Sequence, residues 1–310
     1  MLSLTALTTQ CEKGESMTDI KQDEVYIVQQ LTGITDDSRI TVNNLGWTSR
    51  AYIIDDGEIV FKFPRDEQSR QDFAYELAAL ELIKQHKFAI NTPVINWVSS
   101  DYEYIGLLGV PGNSITQDKI SRLDDKVKKE IGIKIGLFLK QLHAIKPVEK
   151  PFVMTVKDQI AEYQKKYKAA LPTLKTYFVD DDLQRIDDLF MKVMPSEMSN
   201  LGEELVFCHG DLGYNNILLT CDNELGIIDF GDAGLYDKSQ DFTGLEDKMI
   251  QYYAINSYGR CQILKAKVNI RQKMLPVADI LFYVGKSDPI GIKSCIKLIK
   301  FNMLNSPNVI

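Results

Sequence analysis

Residues 206–219, VFCHGDLGYNNILL, hold polar side chains between two apolar runs. Asp211 and Asn216 lie five positions apart in this segment, and Asp229 ends the next apolar run. A turn at Cys221–Glu224 would fold these runs into a hairpin and place the loops that carry the three side chains at one end. Carboxylate and amide oxygens suit Mg²⁺, and a carboxylate that stays off the metal can accept a proton from a substrate hydroxyl. The spacing therefore predicts metal-assisted chemistry at a hydroxyl group.

The order His209-Gly210-Asp211, then Asn216, then Asp229-Phe230-Gly231 resembles the catalytic and metal-binding loops of the protein-kinase fold. The glycine between His209 and Asp211 and the tract IIDFGDAGLYDKSQDF are similar to the aminoglycoside phosphotransferase family, and to its 2''-phosphotransferases in particular. The resemblance extends over nearly the whole chain. It implies an α+β, protein-kinase-like fold with two lobes, in which Asp211 is the catalytic base and Asn216 and Asp229 bind Mg²⁺.

The same resemblance implies a lysine that binds phosphate groups in the small lobe. The run IVFK, which ends at Lys62, has the form of the lysine-bearing strand of kinases. A lysine on an otherwise apolar strand needs an anionic partner. Glu76 is the predicted partner, because the family places this acidic residue before the apolar run of the next helix, and Glu81 is the alternative.

Two further segments are expected to bind the nucleotide. In the first, Asn44–Ser49, the single glycine makes a sparse counterpart of the kinase phosphate loop, and Ser49 would hydrogen-bond a phosphate. In the second, a connector, Leu108 and Val110 would offer backbone groups to the base. Gly109 stands between them where many relatives carry an acidic residue. The sequence therefore leaves ATP and GTP both open as phosphate donors.

The substrate is expected to be a small cationic molecule. Only nine residues separate Gly231 from Asp241, too few for the activation segment of a protein kinase. Asp232, Glu246 and Asp247 lie on the substrate side by resemblance, and carboxylates suit the ammonium groups of an aminoglycoside. The predicted function is O-phosphorylation of an aminoglycoside antibiotic, which gives resistance.

Three alternatives stay open at this point. A metabolic kinase of the same fold would act on choline, a sugar or an amino alcohol, and Tyr252, Tyr253 and Tyr258 could form the aromatic cage that choline needs. A macrolide kinase would need an apolar groove, of which the sequence gives no sign. A nucleotide-binding pseudokinase is disfavoured, because all the residues required for catalysis are present.

The pattern of apolar residues predicts three regions. Residues 1–20 are expected to be a disordered extension, 21–110 a β-rich nucleotide-binding lobe, and 111–310 a mostly helical lobe with the catalytic loops. In the small lobe a helix near 21–33 precedes five strands, with a second helix over 67–85. The strongest helical period, over 124–143, opens the large lobe.

Composition limits the classes of function. The 310 residues carry a net charge of −7, and no basic patch studded with aromatic residues suggests nucleic-acid binding. No apolar run is long enough to span a membrane. Five scattered cysteines without a CxxC pair indicate reduced thiols in the cytoplasm. A cytoplasmic monomer that binds a nucleoside triphosphate and a cationic small molecule is expected.

Overall fold

The computed structural model describes residues 21–44, 46–147 and 151–301, so the predicted extension lies outside the described residues. The strands in chain order are β1 Ile40–Asn43, β2 Ser49–Ile54, β3 Ile59–Pro64, β4 Val94–Val98, β5 Ile105–Leu108, β6 Asn113–Ser114, β7 Val153–Met154, β8 Leu205–Cys208, β9 Ile217–Leu219, β10 Leu225–Ile227 and β11 Gly234–Asp237. The helices are α1 Gln22–Thr32, α2 Glu67–Lys84, α3 Gln117–Arg122, α4 Asp125–Leu142, α5 Val156–Leu174, α6 Asp180–Asp187, α7 Met194–Asn200, α8 Gln240–Thr243, α9 Lys248–Tyr258, α10 Gln262–Gly285 and α11 Pro289–Ile299.

The described chain forms two compact units. The N-terminal unit comprises residues 21–127 and 214–233, and the C-terminal unit comprises 128–213 and 234–301. The sheet of the N-terminal unit has the order β1-β2-β3-β5-β4, with every neighbouring pair antiparallel. Strand β2 alternates between half-buried and buried residues, as expected when one face of a sheet packs on a core. Its buried Arg50 forms an ion pair with Glu24 of α1, which fixes that helix to the sheet.

The predicted hairpin after Asn216 is present in the N-terminal unit. Strands β9 and β10 pair antiparallel, with Ile217 opposite Ile227, and β6 adds to the free edge of β9. Residues 214–233 therefore belong to the same unit as the five-stranded sheet. The boundary expected at residues 110 and 111 lies within this unit, because β6 follows that boundary and pairs with β9.

Helices make up most of the C-terminal unit. One apolar cluster in this unit joins α5, α6, α7, α10 and α11. Helix α4 approaches α9 closely at Gly132 and Gly136, where an added Cβ atom would lie within 2.5 Å of a backbone oxygen of α9. The small sheet β7-β11-β8 was not expected from the sequence, because β7 has two residues and β11 has four, too few for a recognisable period.

Two expectations from composition can be compared with the described residues. The four cysteines among them, Cys208, Cys221, Cys261 and Cys295, are free thiols, whereas Cys11 lies outside this part of the chain. Within residues 21–44, 46–147 and 151–301, none of the helices combines the length and apolar character needed to cross a bilayer.

Candidate active site

Lys62 forms the centre of a charged cluster in the N-terminal unit. Strand β3 presents its ammonium 2.6 Å from Glu76 Oε1 on α2 and 2.8 Å from Asp229 Oδ1 after β10. The Glu76 side chain is buried, and the Lys62 side chain is partly buried. The predicted pairing of Lys62 with Glu76 is therefore confirmed. The alternative partner, Glu81, is exposed on α2 beside Lys84.

Asp229 stands at a backbone position that favours a functional interpretation. Its φ angle is +67°, a left-handed conformation that few residues other than glycine adopt. The hairpin brings it near Asn216, because the Ile228 N–H donates to the Asn216 carbonyl at 3.0 Å. Half of the Asp229 side chain remains exposed, whereas Asn216 is buried. Asn216 directly precedes β9 and Asp229 follows β10, so the two residues lie at the same end of the hairpin.

Negative charge exceeds positive charge around Lys62. Burial lowers the pKa of Lys62, but the Asp229 and Glu76 carboxylates outweigh it and raise the pKa above its usual value. Burial raises the pKa of Glu76, the Lys62 ammonium opposes this shift, and Asp229 adds to it. Burial also raises the pKa of Asp232, and Asp229 and Glu76 contribute to that shift. One ammonium shared between two carboxylates, with hard oxygen donors at Asp229 and Asn216, fits a divalent cation such as Mg²⁺.

The connector explains why glycine stands at position 109. The Gly109 N–H donates to the Glu58 carbonyl at 2.8 Å, which extends the pairing of β3 with β5. An added Cβ atom at Gly109 would lie 2.1 Å from the Gly57 carbonyl oxygen. The close approach of two backbones excludes an acidic side chain here. Leu108 is partly exposed and Val110 is buried, and their contact with a nucleotide base stays a prediction.

The Arg65 side chain binds backbone carbonyls of the predicted phosphate loop, Asn44–Ser49, and the sequence did not indicate this contact. Its Nε donates to the Gly46 carbonyl at 2.8 Å, and its Nη2 donates to the Asn44 carbonyl. The Arg65 N–H also donates to the Thr48 carbonyl at 2.9 Å. Ser49 opens β2 directly after this loop, and its bond to a phosphate stays a prediction.

The loop that carries Asp211 belongs to the C-terminal unit. Buried Asp241 accepts the backbone N–H groups of His209 and Gly210, each at 2.9 Å, and His143 Nε2 lies 3.0 Å from the same carboxylate. Burial raises the pKa of Asp241, but the hydrogen bond with His143 and the nearby imidazoles outweigh it and lower the pKa. The predicted brace by Asp241 is confirmed, and fully buried His209 lies inside the loop, whereas Asp211 is partly exposed.

Gly244 supports the other side of this loop, which sequence reasoning missed. An added Cβ atom at Gly244 would lie 2.5 Å from the Leu212 carbonyl oxygen and 2.9 Å from Gly213 Cα. Gly213 and Gly244 also form an isolated β-bridge. The residues that follow Asp211 are thus held against the backbone after α8.

The two carboxylates before α9 differ in their surroundings. Asp247 caps α9 by accepting the N–H groups of Met249 and Ile250, and it pairs with Lys128 at 3.0 Å. Glu246 is partly buried, and burial raises its pKa while Lys248 opposes the shift. The substrate contacts of Glu246 and Asp247 stay predictions. Because the Asp247 carboxylate already binds the start of α9 and Lys128, Glu246 is the better candidate for binding a substrate ammonium group.

The three tyrosines proposed for a choline cage do not share one environment. Tyr258 Oη lies 3.0 Å from His143 Nδ1, and the Tyr258 ring packs edge-on against Phe242. Tyr252 is exposed and packs edge-on against Tyr253, and Lys129 lies over the Tyr253 ring. Tyr258 therefore belongs to the support of the Asp211 loop.

Comparison with known proteins identifies the family and the fold of this chain. Residues 39–248 match the phosphotransferase enzyme family. The structure of APH(2'')-IIIa with GDP and kanamycin has a TM-score of 0.79 at 20% identity, covering 92% of this chain and 100% of that one. The aminoglycoside phosphotransferase APH(2'')-Ib with ADP has a TM-score of 0.71 at 18% identity, covering 90% and 97%.

A macrolide 2'-phosphotransferase from Brachybacterium faecium has a TM-score of 0.64 at 16% identity, covering 92% of this chain and 99% of that one. The expected kinase-like fold, with a β-sheet N-terminal region and a mostly helical C-terminal region, is confirmed. Because the family match covers well over half of the sequence, the chain belongs to the phosphotransferase enzyme family.

Proposed function

We propose that the protein transfers the γ-phosphoryl group of ATP or GTP to a hydroxyl of an aminoglycoside antibiotic, which gives resistance in the cytoplasm. The observation that carries this proposal is the cluster in which Lys62 contacts both Glu76 and Asp229. A lysine held in this way is the phosphate-orienting group of kinases. A pseudokinase would not need all of these groups together with a braced loop at Asp211.

The proposed roles follow from the chemistry of each group. Asp211 accepts the proton of the substrate hydroxyl, since a partly exposed carboxylate on a rigid loop can act as a general base. Lys62 orients the nucleotide phosphates, and Glu76 orients Lys62. Ser49 and the Arg65-supported loop contact the phosphates, and the backbone at Leu108 and Val110 contacts the base.

Asn216 and Asp229 are the residues that would hold Mg²⁺. The fit rests on their hard oxygen donors and on the excess of negative charge beside Lys62. When bound, the ion supplies neutralisation of the charge that develops on the phosphoryl oxygens. Asp229 contacts Lys62 as well, so the same carboxylate also orients the lysine.

The substrate assignment rests on acidic side chains. Glu246 is proposed as the principal contact for a substrate ammonium group, with Asp232 and Asp247 as the other predicted contacts. Among the similar structures, one contains kanamycin and another contains gentamicin, which supports an aminoglycoside for this chain. A macrolide is the second candidate, because two of the similar structures are macrolide 2'-phosphotransferases.

The test is a transfer assay with purified protein. Kanamycin, gentamicin, a macrolide and choline are each offered with Mg²⁺ and either ATP or GTP, and the phosphorylated product is measured by mass spectrometry. We expect product with an aminoglycoside and loss of about 10²–10⁴-fold in turnover for Asp211→Ala, the usual effect of removing a general base. Product with choline or a macrolide alone would refute the substrate class, and no product with any acceptor would refute the function.

A further inference from the structure

The residue directly before Asp211 has both of its backbone groups held by one short helix. The Gly210 N–H donates to Asp241 Oδ1 at 2.9 Å. The Gly210 carbonyl accepts from Gln240 Nε2, also at 2.9 Å. Gln240 and Asp241 are neighbours in α8 and are both buried. The Gly210 carbonyl and the Asp211 N–H belong to the same planar peptide group. The Gln240 amide therefore fixes the orientation of the peptide plane next to the Asp211 side chain.

The direction of the Gln240 amide is set from the core of the C-terminal unit. Arg271 Nη1 on α10 donates to Gln240 Oε1 at 2.9 Å, and Gln159 Nε2 on α5 donates to the same oxygen at 3.1 Å. A guanidinium group has donors and no acceptor. The oxygen of the Gln240 amide must therefore face Arg271, and its NH₂ group must face Gly210. A flipped amide would lose all three bonds.

Arg271 is itself held at several atoms. Its Nη1 donates to Gln159 Oε1 at 2.6 Å, and its Nε donates to Ser239 Oγ at 2.7 Å. Ser239 Oγ in turn donates to buried Asp237, which also pairs with Lys267. Burial lowers the pKa of Arg271, and the Asp237 carboxylate opposes the shift. A buried ion network of this kind adds little net stability compared with well-packed apolar residues of similar volume. Its main effect here is therefore to fix the orientation of the side chains that it contacts.

We infer that Arg271 and Gln159 are positioning residues that act on Asp211 through the Gln240 amide. Arg271 lies 60 positions beyond Asp211 in the sequence, on α10, and it reaches the Asp211 loop through the Gln240 amide. The chain of bonds runs from guanidinium to amide oxygen, and from amide nitrogen to the Gly210 carbonyl. This inference rests on the proposed function, in which Asp211 is the general base.

The decisive variant is Gln240→Glu. A carboxylate at this position keeps an acceptor for Arg271 and Gln159, so the bonds of the buried network to Arg271 are retained. In its ionised form, which the adjacent Arg271 guanidinium favours, it cannot donate to the Gly210 carbonyl, so the Asp211 loop loses its support. Displacing a reacting group by about 1 Å costs about 10²-fold in rate. We expect kcat to fall by about 10- to 100-fold, with the KM for nucleotide unchanged.

Arg271→Met and Arg271→Lys test the orienting cation. Arg271→Met should lower both the melting temperature and kcat, and Arg271→Lys should restore part of kcat because it retains a donor. Ile280→Ala is the matched control, since Ile280 is fully buried on the same helix. It should lower the melting temperature comparably and leave kcat unchanged when assayed well below that temperature.

The outcomes separate the inference from the proposed function when Asp211→Asn is measured alongside. Loss of turnover in Asp211→Asn together with reduced kcat in Gln240→Glu supports both. Loss of turnover in Asp211→Asn with wild-type kcat in Gln240→Glu overturns the inference alone. An Arg271→Met protein that behaves like Ile280→Ala also overturns it. Wild-type turnover in Asp211→Asn overturns the proposed function and the inference with it.

Discussion

The Lys62 ammonium lies 2.8 Å from the carboxylate of Asp229, 167 positions further along the chain. Neither residue is confined to this contact, since Lys62 also holds Glu76 and half of the Asp229 side chain is exposed. The lysine and the carboxylate are therefore already oriented before phosphate groups and a divalent cation are bound. This relationship decides what happens when either partner is changed.

Lys62→Met should raise the KM for nucleotide and lower kcat while leaving the protein folded. The apolar side chain removes the phosphate-orienting charge, and burial already raises the pKa of Glu76, so that residue can take up a proton instead of remaining as an unpaired buried charge. Transfer kinetics and circular dichroism measure the two effects. Lys84→Met, at an exposed position of α2, is the control and should change neither. Full activity in Lys62→Met would remove this residue from the mechanism.

Asp229→Asn should raise the Mg²⁺ concentration that gives half-maximal activity. A neutral amide is a poorer ligand for a hard divalent cation than a carboxylate. Asn216→Ala should act in the same direction with a smaller effect, because it removes a neutral ligand. Titration of activity with Mg²⁺ at saturating nucleotide measures both. If both variants keep the wild-type dependence on Mg²⁺, the assigned ligands are wrong.

The parts of the site that the sequence predicted depend on short segments. The β9–β10 hairpin and the pairing of Lys62 with Glu76 follow from local periods and from the resemblance. Support from distant residues was not predictable, since no local pattern links Arg271 with Gln240, 31 positions away. Asp247 was predicted as a substrate contact, and the structure shows it as the N-cap of α9. The sequence alone is compatible with both roles, because aspartate is a preferred N-cap residue.

Gly244→Ala should lower kcat by about 10- to 100-fold, because the methyl group would displace the backbone at Leu212 and Gly213 and the Asp211 loop would move with it. The KM for nucleotide should change little. Gly285→Ala is the control, since an added Cβ atom at that helix end meets open space. It should keep wild-type kcat and stabilise the fold by at most about 1 kcal/mol. Equal kcat in both variants would contradict the proposed support by Gly244.

Asp279→Asn should become more stabilising, relative to the wild type, as pH rises. Asp279 is buried on α10, and its Oδ1 has no hydrogen-bond partner among the residues that the structure describes. Burial, with a contribution from Glu246, raises its pKa well above the ordinary 3.8. Between the ordinary and the raised pKa the folded protein binds the extra proton, so the wild type loses stability with increasing pH, by at most about 1.4 kcal/mol per pH unit.

Urea denaturation of the wild type and Asp279→Asn from pH 5 to pH 8 measures this dependence. The neutral amide does not titrate, so the difference in unfolding free energy between the two proteins should grow with pH. Asp101→Asn, at an exposed turn, is the control for the chemical change itself. A flat difference for Asp279→Asn would show that this carboxyl is not held protonated in the folded state.

Glu246→Gln and Asp247→Asn should separate substrate binding from helix capping. Glu246 is proposed as the principal contact for an ammonium group, so Glu246→Gln should raise the KM for an aminoglycoside and leave the KM for nucleotide unchanged. One exposed ion pair contributes about 0–1 kcal/mol, which corresponds to an increase of up to about fivefold. Asp247 caps α9 and pairs with Lys128, so Asp247→Asn should mainly lower the melting temperature. Added salt should weaken aminoglycoside binding less in Glu246→Gln than in the wild type, because one attractive charge is missing.

An unchanged KM and an unchanged salt dependence in Glu246→Gln would mean that the substrate ammonium groups bind elsewhere. A larger increase in KM for Asp247→Asn than for Glu246→Gln would make Asp247 the principal substrate contact and Glu246 the lesser one.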